Sequence, residues 1–300
     1  MKVHAIGRFG TFPWYPIYAG FREGLDRIEG VEPFYAESTD PRLVEQLNAV
    51  RADVVIVLGL GAWDRWRDTG RDTVNWDPFV AVWNQDYRPW VPVPAEDEAD
   101  LVVATDADWA DAWLPLGCME RDSIPDATSS VDLAIFYGTK GNEKVHGRRR
   151  EILEGVYRKL EHRTAFYNFQ GNDSTFHQSI DDQARLYAGG GVCLDCSNAD
   201  RAGYTSDRIF TVTGSGGFYF GNWFDRLDEL FEPGIEIAWP FQDEDDTDAI
   251  VSMAVDWADP RREDWKNGIR KAGFRRAQAD HTYVQRVAKL WTWIKLGGTS

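Results

Sequence analysis

The stretch ADVVIVLGLG (residues 52–61) decides the fold class. It is a continuous apolar run rich in β-branched residues, which is typical of a strand whose two faces are both buried in a parallel sheet. FVAVWNQD (79–86) and DLVVATDADW (100–109) repeat the form of an apolar strand with a polar end. Amphipathic segments such as PRLVEQLNAVR (41–51), which begins at a proline, alternate with these strands. The alternation of strand and helix predicts an α/β fold.

The same alternation begins again in the second half of the chain. A polar segment rich in turn residues, at 117–130, separates the two halves. After it, VDLAIFYG (131–138) predicts a strand, GTKGNEKVHG (138–147) a glycine-rich loop and RRREILEGVYRKLEH (148–162) a helix. Because 300 residues exceed what one hydrophobic core usually serves, we expect two domains. The expected segments are 1–130, 131–280 and a final helix at 281–296.

Composition excludes several classes of protein. Hydrophobic residues make up 43% and charged residues 27% of the chain, which fits a soluble globular protein. No window approaches the roughly 18 uninterrupted apolar residues of a membrane-spanning helix. Three cysteines are too few for a disulfide scaffold, and the opening MKVHAIGRFG lacks the basic and then apolar pattern of a secretion signal. A net charge of −16 disfavours general binding to polyanions. We expect a cytoplasmic protein, and the sequence leaves its oligomeric state open.

Tryptophan is frequent in the first half. The chain has 14 tryptophans, and seven of them lie between residues 63 and 113. Flat aromatic rings pack well in cores and interfaces, and they also stack against sugars and bases. The pattern favours core packing, with a stacking wall for a ligand as the alternative.

Two segments of the second half have the form of an anion site. In FYGTKGNEKVHGRRREIL (136–153), a strand leads through a glycine-rich loop to a helix that opens at Arg148. In TSDRIFTVTGSGGFYF (205–220), Ser206 and Arg208 begin a short helix that ends in three glycines. Glycines let backbone N–H groups approach an anion, a helix N-terminus adds positive potential, and arginine adds charge-assisted hydrogen bonds. The pattern favours a compact anion such as a diphosphate, with a connecting loop and a helix C-cap as the alternatives.

Three motifs of the second half resemble a known family. GYTSDRIFTVTGSGGFYF (203–220), LDELFEPGIEIAWPF (227–241) and IRKAGFRRAQADHTYVQRV (269–287) are similar to those of family-1-like glycosyltransferases of the spore-maturation-protein type. The resemblance covers about residues 131–296. It implies two facing Rossmann-like domains, the GT-B arrangement, with a C-terminal helix that crosses back onto the first, acceptor-side domain.

The resemblance also implies a reaction. Enzymes of this type move a sugar from a nucleotide-diphosphate donor to an acceptor hydroxyl, and they hold the diphosphate with arginines and helix dipoles instead of a metal ion. We therefore expect a metal-independent glycosyltransferase with a nucleotide-sugar donor of the UDP type. The acceptor stays open between a glycan, a protein, a small molecule and a hydroxylated base in DNA, as in virus-encoded base glycosyltransferases.

The resemblance assigns donor binding to a set of positions in the second half. They are Tyr137, Gly138, Arg148, Ser206, Arg208, Thr211, Gly216 and Gly217. Ser206 and Arg208 stand where the family binds the donor phosphates, and Gly216 and Gly217 stand at its phosphate-facing turn. Thr211 replaces a glutamate that often binds ribose or sugar hydroxyls, and a hydroxyl cannot supply a charged acceptor. A degenerate binding protein that keeps the fold without catalysis is therefore the alternative to an enzyme.

A base for the acceptor hydroxyl is the least determined part of the site. The reaction needs such a base if the configuration of the sugar inverts. His4 on the first predicted strand and Asp86 at the end of FVAVWNQD (79–86) are the candidates. Asp86 fits because ligands of α/β proteins gather at the carboxyl ends of strands. A surface histidine and a loop or N-cap aspartate are the alternative interpretations.

Overall fold

The computed structural model divides the chain into two compact units. Met1–Gly117 and Thr282–Ser300 form the first unit, and Cys118–His281 form the second. The division falls at the start of the turn-rich 117–130 segment. The structure describes residues 1–10, 16–69, 74–85, 94, 98–105, 110–127, 132–137, 143–160, 164–168, 179–196, 204–242 and 246–297. It describes the backbone alone at residues 60, 69, 133–137, 143–150 and 164–168.

The first unit is built on a six-stranded parallel sheet. The strands are Lys2–Gly7 (β1), Glu32–Glu37 (β2), Val54–Leu58 (β3), Phe79–Asn84 (β4), Leu101–Ala104 (β5) and Ala112–Trp113 (β6), in the spatial order β2–β1–β3–β4–β5–β6. Every pairing in this sheet is parallel. All residues of the central strand β3 are buried, as its continuous apolar run predicted. Helices Pro16–Asp26 (α1), Leu43–Val50 (α2) and Leu60–Thr69 (α3) connect the strands.

Three tryptophans of the first unit are core residues. Trp63 and Trp66 of α3 are fully buried in one apolar cluster with residues of β3 and β4. The buried Trp83 of β4 donates its indole N–H to the Leu114 carbonyl at 3.1 Å. For these three residues the structure favours packing over a ligand-stacking wall.

The second unit carries a four-stranded parallel sheet. Its strands are Leu133–Tyr137 (β7), Thr164–Asn168 (β8), Cys193–Asp195 (β9) and Tyr219–Gly221 (β10), in the order β10–β9–β7–β8. Its helices are Glu143–Leu160 (α4), Ile180–Gly189 (α5), Arg208–Thr213 (α6), Leu227–Leu230 (α7), Thr247–Trp257 (α8) and Glu263–Asp280 (α9), with a 3-10 turn at Pro260–Arg262. Apolar side chains of α4, α8 and α9 share one core cluster with β9 and β10.

Both sheets have the same winding. In each, the second strand lies on one side of the first, and the third and fourth lie on the other. This is a doubly wound order with a switch point beside the first strand. In the second unit the switch point therefore lies between β7 and β9.

Two elements differ from the sequence-based expectation. The helix expected at 148 begins at Glu143, because the polar residues after the glycine-rich stretch join its first turn. The apolar alternation of Ile235, Ile237, Trp239 and Phe241 predicts a strand, but this part of the chain forms only the isolated bridges Asn222–Phe241 and Pro233–Ile237. Pro233, Gly234 with its φ of +81°, and Pro240 interrupt that segment, and proline cannot donate to a strand ladder.

The last helix, Tyr283–Lys295 (α10), belongs to the first unit. Thr282 and Gln285 form a capping box at its start. It packs on α1, where Gly20 faces Tyr283 and Gly24 faces Val287 without room for a Cβ. None of the helices in the described ranges is long and apolar enough to cross a membrane.

Candidate functional site

The carboxyl edge of the second sheet is where a ligand site is expected. Ligands of open α/β sheets bind at the carboxyl ends of strands, beside the switch point. Here β7 ends at Tyr137 and its neighbour β9 ends at Asp195. Residues 138–142 and 197–203, which follow these strands, lie outside the described residues. The described part of this edge is therefore formed by Asp195, the start of α6 and the adjacent β10.

The carboxylate of Asp195 is the centre of a buried polar cluster. Its Oδ1 accepts a hydrogen bond from Arg208 Nη1, while its Oδ2 accepts from Ser206 Oγ at 3.1 Å and from the Tyr219 hydroxyl at 3.2 Å. Only 4% of the Asp195 side chain and 14% of the Arg208 side chain are exposed. Ser206 Oγ also accepts from the backbone N–H of Arg208 at 3.2 Å. Ser206 and Arg208, which the resemblance paired, are thus brought together around one carboxylate.

Electrostatics keep two members of the cluster, Arg208 and Tyr219, in one protonation state. Burial alone lowers the pKa of Arg208, but the carboxylates of Asp195 and Asp207 outweigh burial and raise it above its ordinary value. Burial and the Asp195 carboxylate raise the pKa of Tyr219 well above its usual range. The guanidinium is therefore charged and the phenol protonated at neutral pH, so both act as donors to Asp195.

Thr211 lies within α6, and its side chain is buried in the second unit. Its hydroxyl is 3.3 Å from the Arg208 carbonyl oxygen and hydrogen-bonds with the phenol of Tyr187. Burial raises the pKa of that phenol above its ordinary value. The resemblance implies a glutamate at this position. Thr211 is a shorter side chain with partners inside the unit, and it offers no carboxylate.

The glycines after α6 do not present free amides. The backbone N–H groups of Gly214, Ser215, Gly216 and Gly217 all donate to carbonyl oxygens of α6 residues. Gly216 has a φ of +74°, and a Cβ there would lie 2.5 Å from Ile124 Cγ2. At Gly217 a Cβ would lie 2.8 Å from the Tyr187 carbonyl oxygen. Gly216 and Gly217 thus form a helix end that allows close packing, and their expected phosphate-facing role stays a prediction.

His4 is placed differently from the expectation of a cleft-facing base. It lies in the middle of β1, opposite Phe34 and Val55, and only 2% of it is exposed. Burial lowers its pKa from 6.5 to about 4. Its Nδ1 has no hydrogen-bond partner in the part of the chain that the structure describes. A ring that is buried against the sheet cannot reach an acceptor hydroxyl in this structure, so we do not keep His4 as the proposed base.

The remaining predicted residues are only partly located. Tyr137 is the last residue of β7, in register with Asn168 of β8. Arg148 lies in the second turn of α4, and not at its opening as expected, because the helix begins at Glu143. Gly138 and Asp86 lie outside the described residues.

Tyr219 is the member of the cluster that sequence reasoning missed. Its phenol reaches Asp195 by passing over Gly221, where a Cβ would overlap the hydroxyl. The alternation of Tyr219 and Gly221 in FYFG (218–221) was the available signal. The sequence does not tell which strand end lies beside it, since this depends on the pairing of β10 with β9.

Comparison with known proteins identifies the family. The sequence profile of the glycosyl transferase-like family matches residues 142–292, which is half of the chain. The chain belongs to the glycosyl transferase-like family. No curated protein sequence matches it significantly. The family match covers residues 142–281 of the unit that holds the Asp195 cluster and continues into α10.

Solved structures show the fold of this glycosyl transferase-like chain. HepE from Anabaena, in complex with UDP and glucose, matches with a TM-score of 0.65 at 11% identity, over 99% of this chain and 100% of HepE. Sucrose-phosphate synthase from Thermosynechococcus elongatus matches with a TM-score of 0.61 at 12% identity, over 99% and 98%. AviGT4, a glycosyltransferase of avilamycin A biosynthesis, matches with a TM-score of 0.59 at 14% identity, over 100% and 99%. The expected α/β fold of two Rossmann-like domains, of the GT-B type, is confirmed.

Proposed function

We propose that this glycosyl transferase-like chain moves a sugar from a nucleotide-diphosphate donor to an acceptor hydroxyl. The observation that carries the proposal is the position of Arg208, a charged and partly exposed side chain beside the switch point of the second sheet. A departing diphosphate gains negative charge in the transition state, and a fixed guanidinium stabilises that charge. In this proposal the Arg208 guanidinium holds the diphosphate, and Ser206, whose hydroxyl donates to Asp195 and accepts from the Arg208 N–H, keeps Arg208 in place.

Further cations are needed at this edge. The described cluster contains one guanidinium against the carboxylates of Asp195 and Asp207, so it has no excess positive charge. Helix α4 begins just after β7, the neighbour of β9, and its first half contains Lys144 and Arg148–Arg150. We assign the additional charge to this segment, and we propose that Tyr137 and Gly138 contribute to donor binding without charge.

The finer features of the proposal rest on the resemblance. We propose a spore-maturation-protein type of enzyme, a donor of the UDP type and a reaction without a metal ion. The complex of HepE with UDP and glucose supports a nucleotide-sugar donor. Within the described residues, no three His, Cys, Asp or Glu side chains are grouped to hold a metal. Asp86 stays the proposed base, and a glycan, protein, small-molecule or hydroxylated DNA base acceptor stays a proposal.

A non-catalytic binding protein is the second candidate. The observation that favours it is Thr211, which is buried among internal partners where the family has a glutamate. Such a protein would bind a nucleotide sugar and leave it intact. Hydrolysis and transfer assays therefore separate the two candidates more directly than binding does.

The test is a donor panel with two arginine variants. Thermal shift and donor hydrolysis are measured with UDP-, GDP-, ADP- and dTDP-sugars for the wild type, Arg208→Ala and Arg261→Ala. We expect Arg208→Ala to lower turnover about 100-fold, as expected for loss of a group that stabilises transition-state charge. Arg261 is 90% exposed and pairs with Asp259, so Arg261→Ala should match the wild type. Binding without turnover would favour the second candidate, and no stabilisation by any donor would overturn both.

A further inference from the structure

The buried carboxylate of Asp195 is not explained by donor binding alone. A carboxylate repels a diphosphate, and burial of an ion pair costs desolvation free energy that its attraction only partly offsets. Asp195 nevertheless lies at the carboxyl end of β9, in contact with the one guanidinium of the described cluster. A carboxylate in this place either orients Arg208 toward the donor or competes with the donor for Arg208.

The contacts of Asp195 favour positioning. Three donors from different parts of the unit converge on it: Arg208 of α6, Ser206 of the segment before α6, and Tyr219 of β10. The two bonds to Oδ2 hold the carboxylate plane, and Oδ1 is then directed at Arg208. A guanidinium is planar, with five N–H donors in a fixed fork. Fixing one of them on Oδ1 therefore fixes the direction of the others.

The backbone around Arg208 is held by the same group of residues. Ser206 Oγ accepts from the Arg208 N–H and donates to Asp195 Oδ2, so it joins the main chain and the side chain of Arg208 to one carboxylate. Gly221 leaves the space through which the Tyr219 phenol reaches Asp195. Main chain and side chain of Arg208 are thus oriented together.

We propose that Asp195 is a positioning residue of the donor site, whose carboxylate, held by Ser206 and Tyr219, orients the Arg208 guanidinium toward the diphosphate. This inference rests on the proposed function, because it concerns the same diphosphate. The opposing role would be competition, in which Asp195 holds Arg208 away from the donor. The two roles predict opposite effects of removing the carboxylate.

The experiment measures diphosphate binding by isothermal titration calorimetry. The probes are inorganic pyrophosphate and UDP, GDP, ADP and dTDP, and the tightest probe of the wild type is used for the variants. We expect Asp195→Asn to raise Kd about tenfold at unchanged stoichiometry. A merely structural role would lower the stoichiometry, as part of the protein fails to fold, and leave Kd unchanged. Asp256→Asn, at an exposed carboxylate that pairs with Arg262, is the matched control and should not change Kd.

A double-mutant cycle tests whether Asp195 acts through Arg208. Arg208→Lys keeps the charge and loses the planar fork. If Asp195 positions the fork, Asp195→Asn should weaken binding tenfold in the wild type and less than twofold in the Arg208→Lys background. Equal effects in both backgrounds would overturn the inference. Tighter binding by Asp195→Asn would also overturn it, in favour of competition.

Tyr219→Phe keeps the test decisive if Asp195→Asn does not fold. It removes one hydrogen bond to Oδ2 and keeps the aromatic ring, so we expect Kd to rise two- to fivefold at unchanged stoichiometry. An unchanged Kd would then overturn the positioning role. Failure of the proposed function looks different: the wild type itself binds none of the probes, whereas failure of this inference alone leaves wild-type binding intact.

Discussion

At the scale of single residues, Gly216 decides how the chain leaves α6. Its φ of +74° is strained for any residue with a Cβ, and a Cβ there would lie 2.5 Å from Ile124 Cγ2. We expect Gly216→Ala to lower the free energy of unfolding by about 2–3 kcal/mol, because backbone strain and overpacking add. Urea unfolding followed by tryptophan fluorescence measures the change.

Gly268→Ala is the matched control for the Gly216 variant. Gly268 lies inside α9, and nothing lies within 4 Å of the position that its Cβ would take. Because alanine favours a helix over glycine, this variant should gain up to about 1 kcal/mol. If both variants shift the unfolding midpoint in the same direction, the argument from strain at Gly216 is wrong.

His4 makes the stability of the first unit depend on pH. Burial lowers its pKa from 6.5 to about 4. As the pH falls below 6.5, the unfolded chain binds a proton that the folded chain does not yet accept, so the free energy of unfolding falls, by about 3 kcal/mol at pH 4. We expect His4→Leu to lose less stability than the wild type between pH 7 and pH 4.5. A difference between the two proteins that stays constant over this range would contradict the expectation.

The candidate site shows what residue types reveal and what they conceal. An arginine two residues after a serine, at the start of a short helix in the second half, was enough to single out Ser206 and Arg208 together. Whether the amides of Gly216 and Gly217 are free depends on where their hydrogens point, and α6 accepts all of them. Tyr219 joins the site through the pairing of β10 with β9, which no local pattern specifies.

At the scale of elements, the capping box of α10 is a testable source of stability. Thr282 Oγ1 accepts from the Gln285 N–H at 3.3 Å, and Gln285 Oε1 accepts from the Thr282 N–H at 2.7 Å. We expect Thr282→Ala to lower the free energy of unfolding by about 1–2 kcal/mol, because two helix-end donors lose their geometry. Ser252→Ala, at an exposed hydroxyl that bonds back to the Asp248 carbonyl inside α8, should change it by less than about 0.5 kcal/mol. Equal losses in a urea titration would exclude the cap as the cause.

Helices and strands were predictable where one hydrophobic pattern dominates a segment. The buried run 52–61 became β3, and the amphipathic segment 41–51 became α2. Helix α3 was not predicted, because it begins two residues after β3, and Gly59 and Gly61 at the junction are typical of a loop. The segment 232–241 has the apolar alternation of a strand, but its prolines and Gly234 leave only isolated bridges.

At the scale of the whole molecule, the end of the chain belongs to the first unit, although it follows the second unit in the sequence. Residues 282–300 follow α9 directly in the sequence, yet they belong to the first unit with α1. Length predicted two domains, and the family resemblance implied a final helix that crosses back onto the first one. Which surface that helix packs on depends on Gly20 and Gly24, whose missing side chains make room for Tyr283 and Val287. That complementarity joins two segments from opposite ends of the chain.

A reciprocal pair of variants tests the division into units by hydrogen exchange. Gly20→Leu should push Tyr283 off α1 and speed amide exchange in α1, α10 and β1, with α8 and α9 unchanged. Gly155→Leu should speed exchange in α4 and α8 of the second unit and leave α1 and α10 unchanged. A Cβ at Gly155 of α4 would lie only 2.7 Å from Val251 Cγ2 of α8. Mass spectrometry of peptic peptides measures the amide exchange of both variants. If Gly20→Leu speeds exchange in α9 as much as in α10, continuity along the chain outweighs packing, and α10 does not belong to the first unit.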